Sequence, residues 1–485
     1  MIDKLISIAL SQRILALIVA LAIAVGGVIS YSKLTIDAFP DVSTTQVKII
    51  IKSPGMTPKE VEQQITIPIE LEMQGIPHQK IVRSISKYAL ADITIDFEEG
   101  TDLYWARDRV YQRFNNIKND LPSSMSGGIA PVTTPLGEIL MFTIESDTLS
   151  LMDKRTLLDW VIRPSLRNIE GVADVNALGG EVQTFRIKPD FAAMATLGIT
   201  LDDIENKIAK NNANFGAGRV ERGDEALLVR LPGRMKDSED LLNLVLRVDQ
   251  NSALIRLKDV AEVMSDKLTR YGYVTKDGKG EAVEGLVLGL KGADASKVTT
   301  QVKKRLQELE ENLPEGTKIN IFYDRKDLIS KAVNMVQKSL TEAVILVLII
   351  LLLFLGSFVS AITVALILPL SILSAFVAMY YFGISVNLMS LGGIAIAIGM
   401  IVDSGVVMVE NVIARLAEDK HASRLHTIYN AAKEVSTPII SGVFIIIIVF
   451  TPLLMLQGLG GKLFAPVALS IVFTLASAIV LALFV

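Results

Sequence analysis

Gly392-Gly393-Ile394-Ala395-Ile396-Ala397-Ile398-Gly399-Met400-Ile401-Val402-Asp403-Ser404-Gly405-Val406-Val407-Met408-Val409-Glu410-Asn411 is the stretch from which the rest of the chain is read. It is apolar and long enough to cross a bilayer, which takes roughly 20 such residues, yet it carries an acid, Asp403, well inside. A carboxylate in hydrocarbon is costly on any scale, so an intramembrane Asp is by default a functional residue. The bland alternatives are a structural polar residue bonded to a neighbouring helix and a misplaced span boundary. Misplacement fails on length: about a dozen apolar or small residues precede Asp403 and about six follow before Glu410, together near one span. Glu410 lies on nearly the same helix face, roughly 10 Å further along. Its place near the span end fits a solvated helix terminus as well as it fits a relay acid. Gly399 and Gly405 bracket Asp403 and are small enough to permit close helix approach.

Outward from this stretch, apolar runs dominate both ends of the chain and spare its middle. Of 485 residues, 51% are hydrophobic, and the mean hydropathy is +0.45. That mixture indicates membrane spans joined to a large water-exposed region. Apolar runs near 11–31, 336–356, 360–382, 387–411, 436–457 and 464–485 are each long enough to span. Lys4 and Arg13 flank the first run, while Arg415, Lys420, Arg424 and Lys433 fall between the fourth and fifth, in an expected cytoplasmic loop at about 412–435. Positive charge stays inside, so both segments are expected in the cytoplasm, and alternation places the middle region outside. The first run lacks an A-x-A-type cleavage site and is read as an uncleaved span, not a signal peptide. Net charge is −4 with no basic tract, which disfavours nucleic acid as a partner. Cysteine is absent, excluding disulfides and thiolate metal sites.

The middle region reads as two split α/β modules. Val47–Ile51 is a strand, and Thr57-Pro58 starts a helix, with Pro58 in its first turn and Glu60 and Glu62 close behind. Strands near 80–88 and 91–97 and a helix from Asp102 to about Ile117 follow, most of a split β-α-β-β-α-β unit. A second unit begins at Glu138–Ile144, with a helix near 151–168 and a strand near 172–178. It is completed much later by a strand (Ala282–Leu290), a helix (Ala295–Leu313) and a strand (Lys318–Tyr323). The interruption, 182–267, holds a helix from Thr200 to Asn211 and a Gly-Ala-Gly turn at Gly216–Gly218. The expected organisation is therefore a first span in 1–35, module 1 in 36–135, and module 2 in 136–181 and 268–332. The insertion takes 182–267, and five further spans occupy 333–485.

Other candidate chemistry is thin. Met389, Met400 and Met408 supply thioethers, which favour soft ions such as Cu(I), but methionine is also an ordinary apolar residue of a span. His78, His421 and His426 form no ligand pattern, and Glu98-Glu99 and Asp202-Asp203 read as solvated faces. There is no nucleophile triad, phosphate loop or metalloprotease motif, so no enzyme activity is expected.

Taken together, these segments resemble the N-terminal half of a resistance–nodulation–division exporter, in particular its heavy-metal efflux branch. The resemblance is carried by Ala38-Phe39-Pro40-Asp41-Val42-Ser43, Glu60-Val61-Glu62, Ile65-Thr66-Ile67-Pro68-Ile69-Glu70, Met73-Gln74-Gly75-Ile76-Pro77 and Gly100-Thr101-Asp102 with Ala106-Arg107. Val402-Asp403 followed by Val409-Glu410-Asn411 completes it. It implies porter-like modules, a docking-like insertion, and a bacterial inner-membrane location with the large region in the periplasm. It also implies Asp403 as a proton-relay acid with Glu410 as a second candidate, no cofactor beyond the coupling proton, and a metal ion as substrate. A homotrimer, a periplasmic adaptor and an outer-membrane channel are implied in the same way. Divalent-cation members carry an acid six residues before the relay Asp, whereas Ala397 stands here, which tilts the expectation slightly to Cu(I) or Ag(I). Ile401 leaves a thioether path incomplete. Multidrug members show paired Asp residues where this chain has Asp403-Ser404. The chain ends at Val485 inside its sixth apolar run, so a second half is expected elsewhere. The alternatives are an organic-solute exporter and a truncated, non-transporting scaffold subunit.

Overall fold

The computed structural model describes residues 2–37, 39–134, 137–222, 225–248, 253–418 and 423–484. Within them a membrane-type helical bundle carries an α+β extramembrane region, the architecture read from the sequence. Module 1 is a four-stranded antiparallel sheet in the order Gln79–Lys87, Leu90–Phe97, Gln46–Lys52, Ser126–Ile129. The last strand, Ser-Gly-Gly-Ile, was not expected, because paired glycines read as loop. A Cβ on Gly127 would collide with the Ile50 carbonyl, so glycine is what lets this strand lie against its neighbour. Module 2 repeats the same topology with strands Lys318–Asp324, Glu138–Glu145, Val283–Gly289 and Val172–Gly179.

Each module buries one sheet face under two helices. In module 1, Ile49, Ile51, Ile93 and Ile95 pack on Val61, Ile65, Ile69, Val110 and Phe114. In module 2, Leu140, Phe142 and Val287 pack on Leu158, Ile162, Leu166, Val298 and Val302. Both first helices open with a capping box, Thr57 with Glu60 and Ser150 with Asp153. Both then contain a π turn, Glu62–Thr66 and Leu158–Ile162, ending two residues before Pro68 and Pro164. A proline lacks the N–H that the preceding turn's carbonyl needs and crowds it, and a widened turn accommodates both faults.

The insertion stands on a two-stranded stem, Gln183–Pro189 paired with Ala261–Lys267. It has its own small core of Met194, Ile204, Leu241, Leu246, Ile255 and Leu257. Asp203 is the capping-box partner of Thr200, so one of the two acids read as solvated has a local structural task. Gly216–Gly218 is not a turn. It lies in the strand Phe215–Arg222, paired with Glu225–Leu231 and shifted in register between Gly216 and Gly218, with Gly218 at φ +90°.

Among the described residues, six helices are long and apolar enough to cross a membrane: Ile14–Lys33, Arg325–Phe354, Ser360–Tyr381, Leu388–Glu418, Arg424–Leu454 and Gly458–Leu483. Three begin earlier than their apolar runs, the sixth at Gly458 and the second and fifth by about three turns. Strand Lys318–Asp324 runs directly into the second span, whose N-cap is Asp324. Ser423 caps the fifth at Arg424, so most of the expected loop at 412–435 is helical, and Lys420 and His421 fall outside the described residues. The third, fourth and sixth spans form the inside of the bundle, at 39%, 41% and 39% buried against 6–11% for the others. Ile394, Ile398 and Ile401 interlock there with Ile367, Leu368, Ile471 and Leu475. Gly393 brings the fourth and sixth spans together: a Cβ on it would lie 2.6 Å from the Val467 carbonyl oxygen and against Ser470.

Candidate functional site

The fourth span is fixed at both ends before its acids are considered. At the end next to the modules, the Asn387 side chain accepts from the backbone N–H groups of Met389 and Ser390, each at 3.0 Å, and Ser390 Oγ accepts from the Asn387 N–H at 2.9 Å. Both residues are fully buried, so three polar groups that burial would penalise satisfy one another. At the far end, Arg415 forks onto Glu434 of the fifth span at 2.9 and 3.0 Å, and Asn411 donates to the Ala431 carbonyl at 2.9 Å. Sequence reading missed both fastenings. Asn-Leu-Met-Ser before an apolar run is a legible start signal, but the partner of Arg415 depends on how two helices pack.

Between these ends the helix has two unlike faces. Ser390, Ile394, Ala397, Ile398, Ile401, Gly405 and Met408 are buried in the bundle. Ile396, Gly399, Asp403, Val407 and Glu410 are exposed, following one another at helical spacing along a single open stripe. Asp403 is the middle residue of the helix Leu388–Glu418. It makes no hydrogen bond or ion pair with any described residue. An ionised carboxylate facing lipid at mid-span is disfavoured, so this stripe belongs against protein or water, not acyl chains. Glu410 shares it.

The glycines divide between the faces. Gly405 sits against the third span, where a Cβ would be 3.0 Å from Val364. A Cβ on Gly399 would meet nothing within 4 Å among the described residues, so no other described helix of this chain packs closely against it. The methionines are not brought together. Met389 is near the module end, Met400 packs partly into the inner core, and Met408 lines an apolar cavity of about 320 Å³ with Ile6, Gly405 and Val412. At a rise of 1.5 Å per residue their helix positions are roughly 16 and 12 Å apart, too far for two thioethers to share one ion. Ala397 faces the core, fully buried, so an acid there would point away from the stripe of Asp403. Among the described residues no group of three or more His, Asp or Glu side chains could hold a metal. His78 pairs with Glu98 at 3.2 Å, and the His426 N–H bonds the capping Ser423.

With this geometry in view, the comparisons with known proteins are decisive. The model of the AcrB/AcrD/AcrF family matches residues 5–485. The chain belongs to this family. Within the family it falls among the heavy-metal members. It is 39% identical over 99% of its length to the cobalt-zinc-cadmium resistance protein CzcA of Cupriavidus metallidurans, covering 46% of that protein. It is 34% identical, over 100% of its length and 47% of the relative's, to the cation efflux system protein CusA of Escherichia coli K12. A crystal structure of a heavy metal efflux pump superposes with a TM-score of 0.89 at 34% identity, over 99% of this chain and 47% of the other. The chain thus spans about half the length of the curated relatives it matches.

Proposed function

We propose that the protein is part of a proton-driven exporter of heavy-metal cations and that Asp403 is its membrane proton-relay acid. The observation that carries this reading is the pairing of a mid-span carboxylate with an open helix face in a member of the family. Each half of such a transporter has its own bundle, and the face that is open here is the one a second bundle would cover. Protonation from the outside neutralises Asp403, changes which partners it prefers across that face, and tilts the bundle between two arrangements. One such acid biases the equilibrium by its differential protonation energy, a few kcal/mol for a shift of roughly 2–3 pKa units. Glu410, at the far end of the stripe, is the second member of the relay. The only bond made and broken is the O–H bond of the carboxyl group as it gains and loses its proton, the coupling ion.

The substrate class rests on the relatives, named for cobalt, zinc, cadmium and nickel resistance or for cation efflux. The lean to Cu(I) or Ag(I) keeps Ala397 as its support and loses the methionines, which share no site. By family likeness the molecule works in the inner membrane, with its modules in the periplasm, as a trimer joined to an adaptor and an outer-membrane channel. The strand pair Phe215–Arg222 and Glu225–Leu231 fits such an assembly. Phe215, Val220, Leu227, Leu228 and Leu231 are all more than half exposed, more apolar surface than a free-standing two-stranded ribbon carries in water. The test is reconstitution of the full-length protein containing this chain in proteoliposomes with an imposed pH gradient. Gradient-dependent movement of Zn²⁺, Co²⁺ or Cu(I), abolished by a protonophore, is expected. Movement of none of the three, with the gradient intact, contradicts the proposal.

A further inference from the structure

The bundle and both modules meet at a short turn after the first span. Asp41 accepts from the Ser43 N–H at 2.9 Å and from its hydroxyl at 2.5 Å, folding the segment back on itself. Two lysines reach this turn from opposite sides. Lys291, from the segment leading out of strand Val283–Gly289 of module 2, donates to Ser43 Oγ at 3.0 Å and pairs with Asp41 at 3.3 Å. Lys462, in the first turns of the sixth span, donates to the Ser43 carbonyl at 2.7 Å and approaches Glu99 of module 1 at 3.6 Å. Three residues after Ser43, strand Gln46–Lys52 begins as a central strand of module 1. One turn therefore holds a cation from the bundle, a cation from module 2 and the backbone of module 1.

The sixth span also lies directly against the fourth, at Gly393 beside Val467 and Ser470, where a Cβ would not fit. Val467 lies five residues beyond Lys462 on the same helix. A shift of the helix that carries Asp403 is therefore passed through a glycine contact that cannot compress to a helix whose first charged group grips the turn. Apolar packing in this region can slide; a lysine held by a carbonyl and a carboxylate moves them with it.

We propose that the Asp41–Ser43 turn is the joint through which the bundle drives both extramembrane modules, with Lys462 as the positioning residue that transmits the motion. The proposal rests on the transport reading above and extends it from the acid to the route its effect takes. Lys462 bonds Ser43 and Glu99 and contacts neither Asp403 nor Glu410.

The test uses the full-length protein in proteoliposomes with Lys462→Met and Lys462→Arg. In Lys462→Met, gradient-driven Zn²⁺ or Cu(I) export falls roughly tenfold, within the reach of one coupling contact, while metal-independent proton flux through the protein persists. Lys462→Arg, which keeps the donor, restores at least about half of the export. Loss of both fluxes in Lys462→Met with a lowered unfolding temperature, or export at the wild-type rate, overturns the joint. Hydrogen exchange provides an arm that needs no transported ion. Asp403→Asn should change exchange in the peptide covering Asp41–Gln46 when Lys462 is present and leave it unchanged in the Lys462→Met background. An equal response with and without Lys462 overturns the joint. A wild-type protein that moves no metal, with the exchange response intact, overturns the substrate reading and leaves the joint standing.

Discussion

The extramembrane modules and the membrane bundle differ in what each can finish alone. Each module closes its core: Ile49, Ile93, Phe142, Leu158 and their neighbours are fully buried, and the helices beginning at Pro58, Leu103, Leu151 and Ala295 each start at a capping side chain. The bundle closes only one side. The same helix that buries Ile394, Ile398 and Ile401 leaves Asp403 and Glu410 on an exposed stripe, with no bond to any described residue. The difference teaches where function lies. Groups whose needs are met inside the chain hold the shape, and the acid that no described residue of the chain satisfies is the one proposed above to carry the proton.

The largest effect expected on the finished side is Phe142→Ala. It removes a fully buried ring that fills the space beside Gly285 and should cost about 3–5 kcal/mol of module stability. Hydrogen exchange in strands Glu138–Glu145 and Val283–Gly289 reads it. A loss under about 1 kcal/mol would mean that the module core is less complete than described. Next comes the junction. The Arg325 guanidinium bonds Asp37 at 2.8 and 3.1 Å and is only 8% exposed. Asp37→Ala leaves it short of its main anion, which should cost on the order of 3 kcal/mol and loosen the start of the second span in limited proteolysis.

Thr57→Ala removes one capping box and should cost about 1 kcal/mol, confined to the helix that begins at Pro58. The smallest effect is a pH dependence. Burial first, and then the charge of Glu138, hold the Glu284 carboxyl above its ordinary value. The folded chain therefore keeps a proton that the unfolded chain has released, and stability falls as pH rises through the window above 4.5. Glu284→Gln should raise the unfolding temperature at pH 7.5 and leave it unchanged at pH 3.5. A gain that is the same at both pH values would assign the effect to packing.

Much of this was legible in the sequence because it rests on local periodicity. The apolar runs gave the spans, and strand patterns with helix starts at Thr57 and Asp102 in module 1 and Thr200 in the insertion gave the extramembrane elements. The acid at 403 stood out because charge is rare in such a run. Other features were not legible, for two physical reasons. Glycine-rich segments such as Ser126–Ile129 and Gly216–Gly218 carry no side-chain pattern, so their strand pairing is visible only in three dimensions. Contacts such as Lys462 with Ser43, Arg325 with Asp37 and Arg415 with Glu434 join residues far apart in the chain, where no spacing rule applies. Gly399 illustrates the limit within one helix: its size suits a close approach, but a Cβ there would meet no described residue within 4 Å.

The most direct test of the central claim is Asp403→Asn in the full-length protein, assayed for pH-gradient-driven metal export in proteoliposomes beside its unfolding temperature. Asparagine matches the carboxylate in size and cannot exchange a proton. The account predicts export at background level with the unfolding temperature unchanged, because Asp403 makes no bond to any described residue of this chain. Export at the wild-type rate would contradict it.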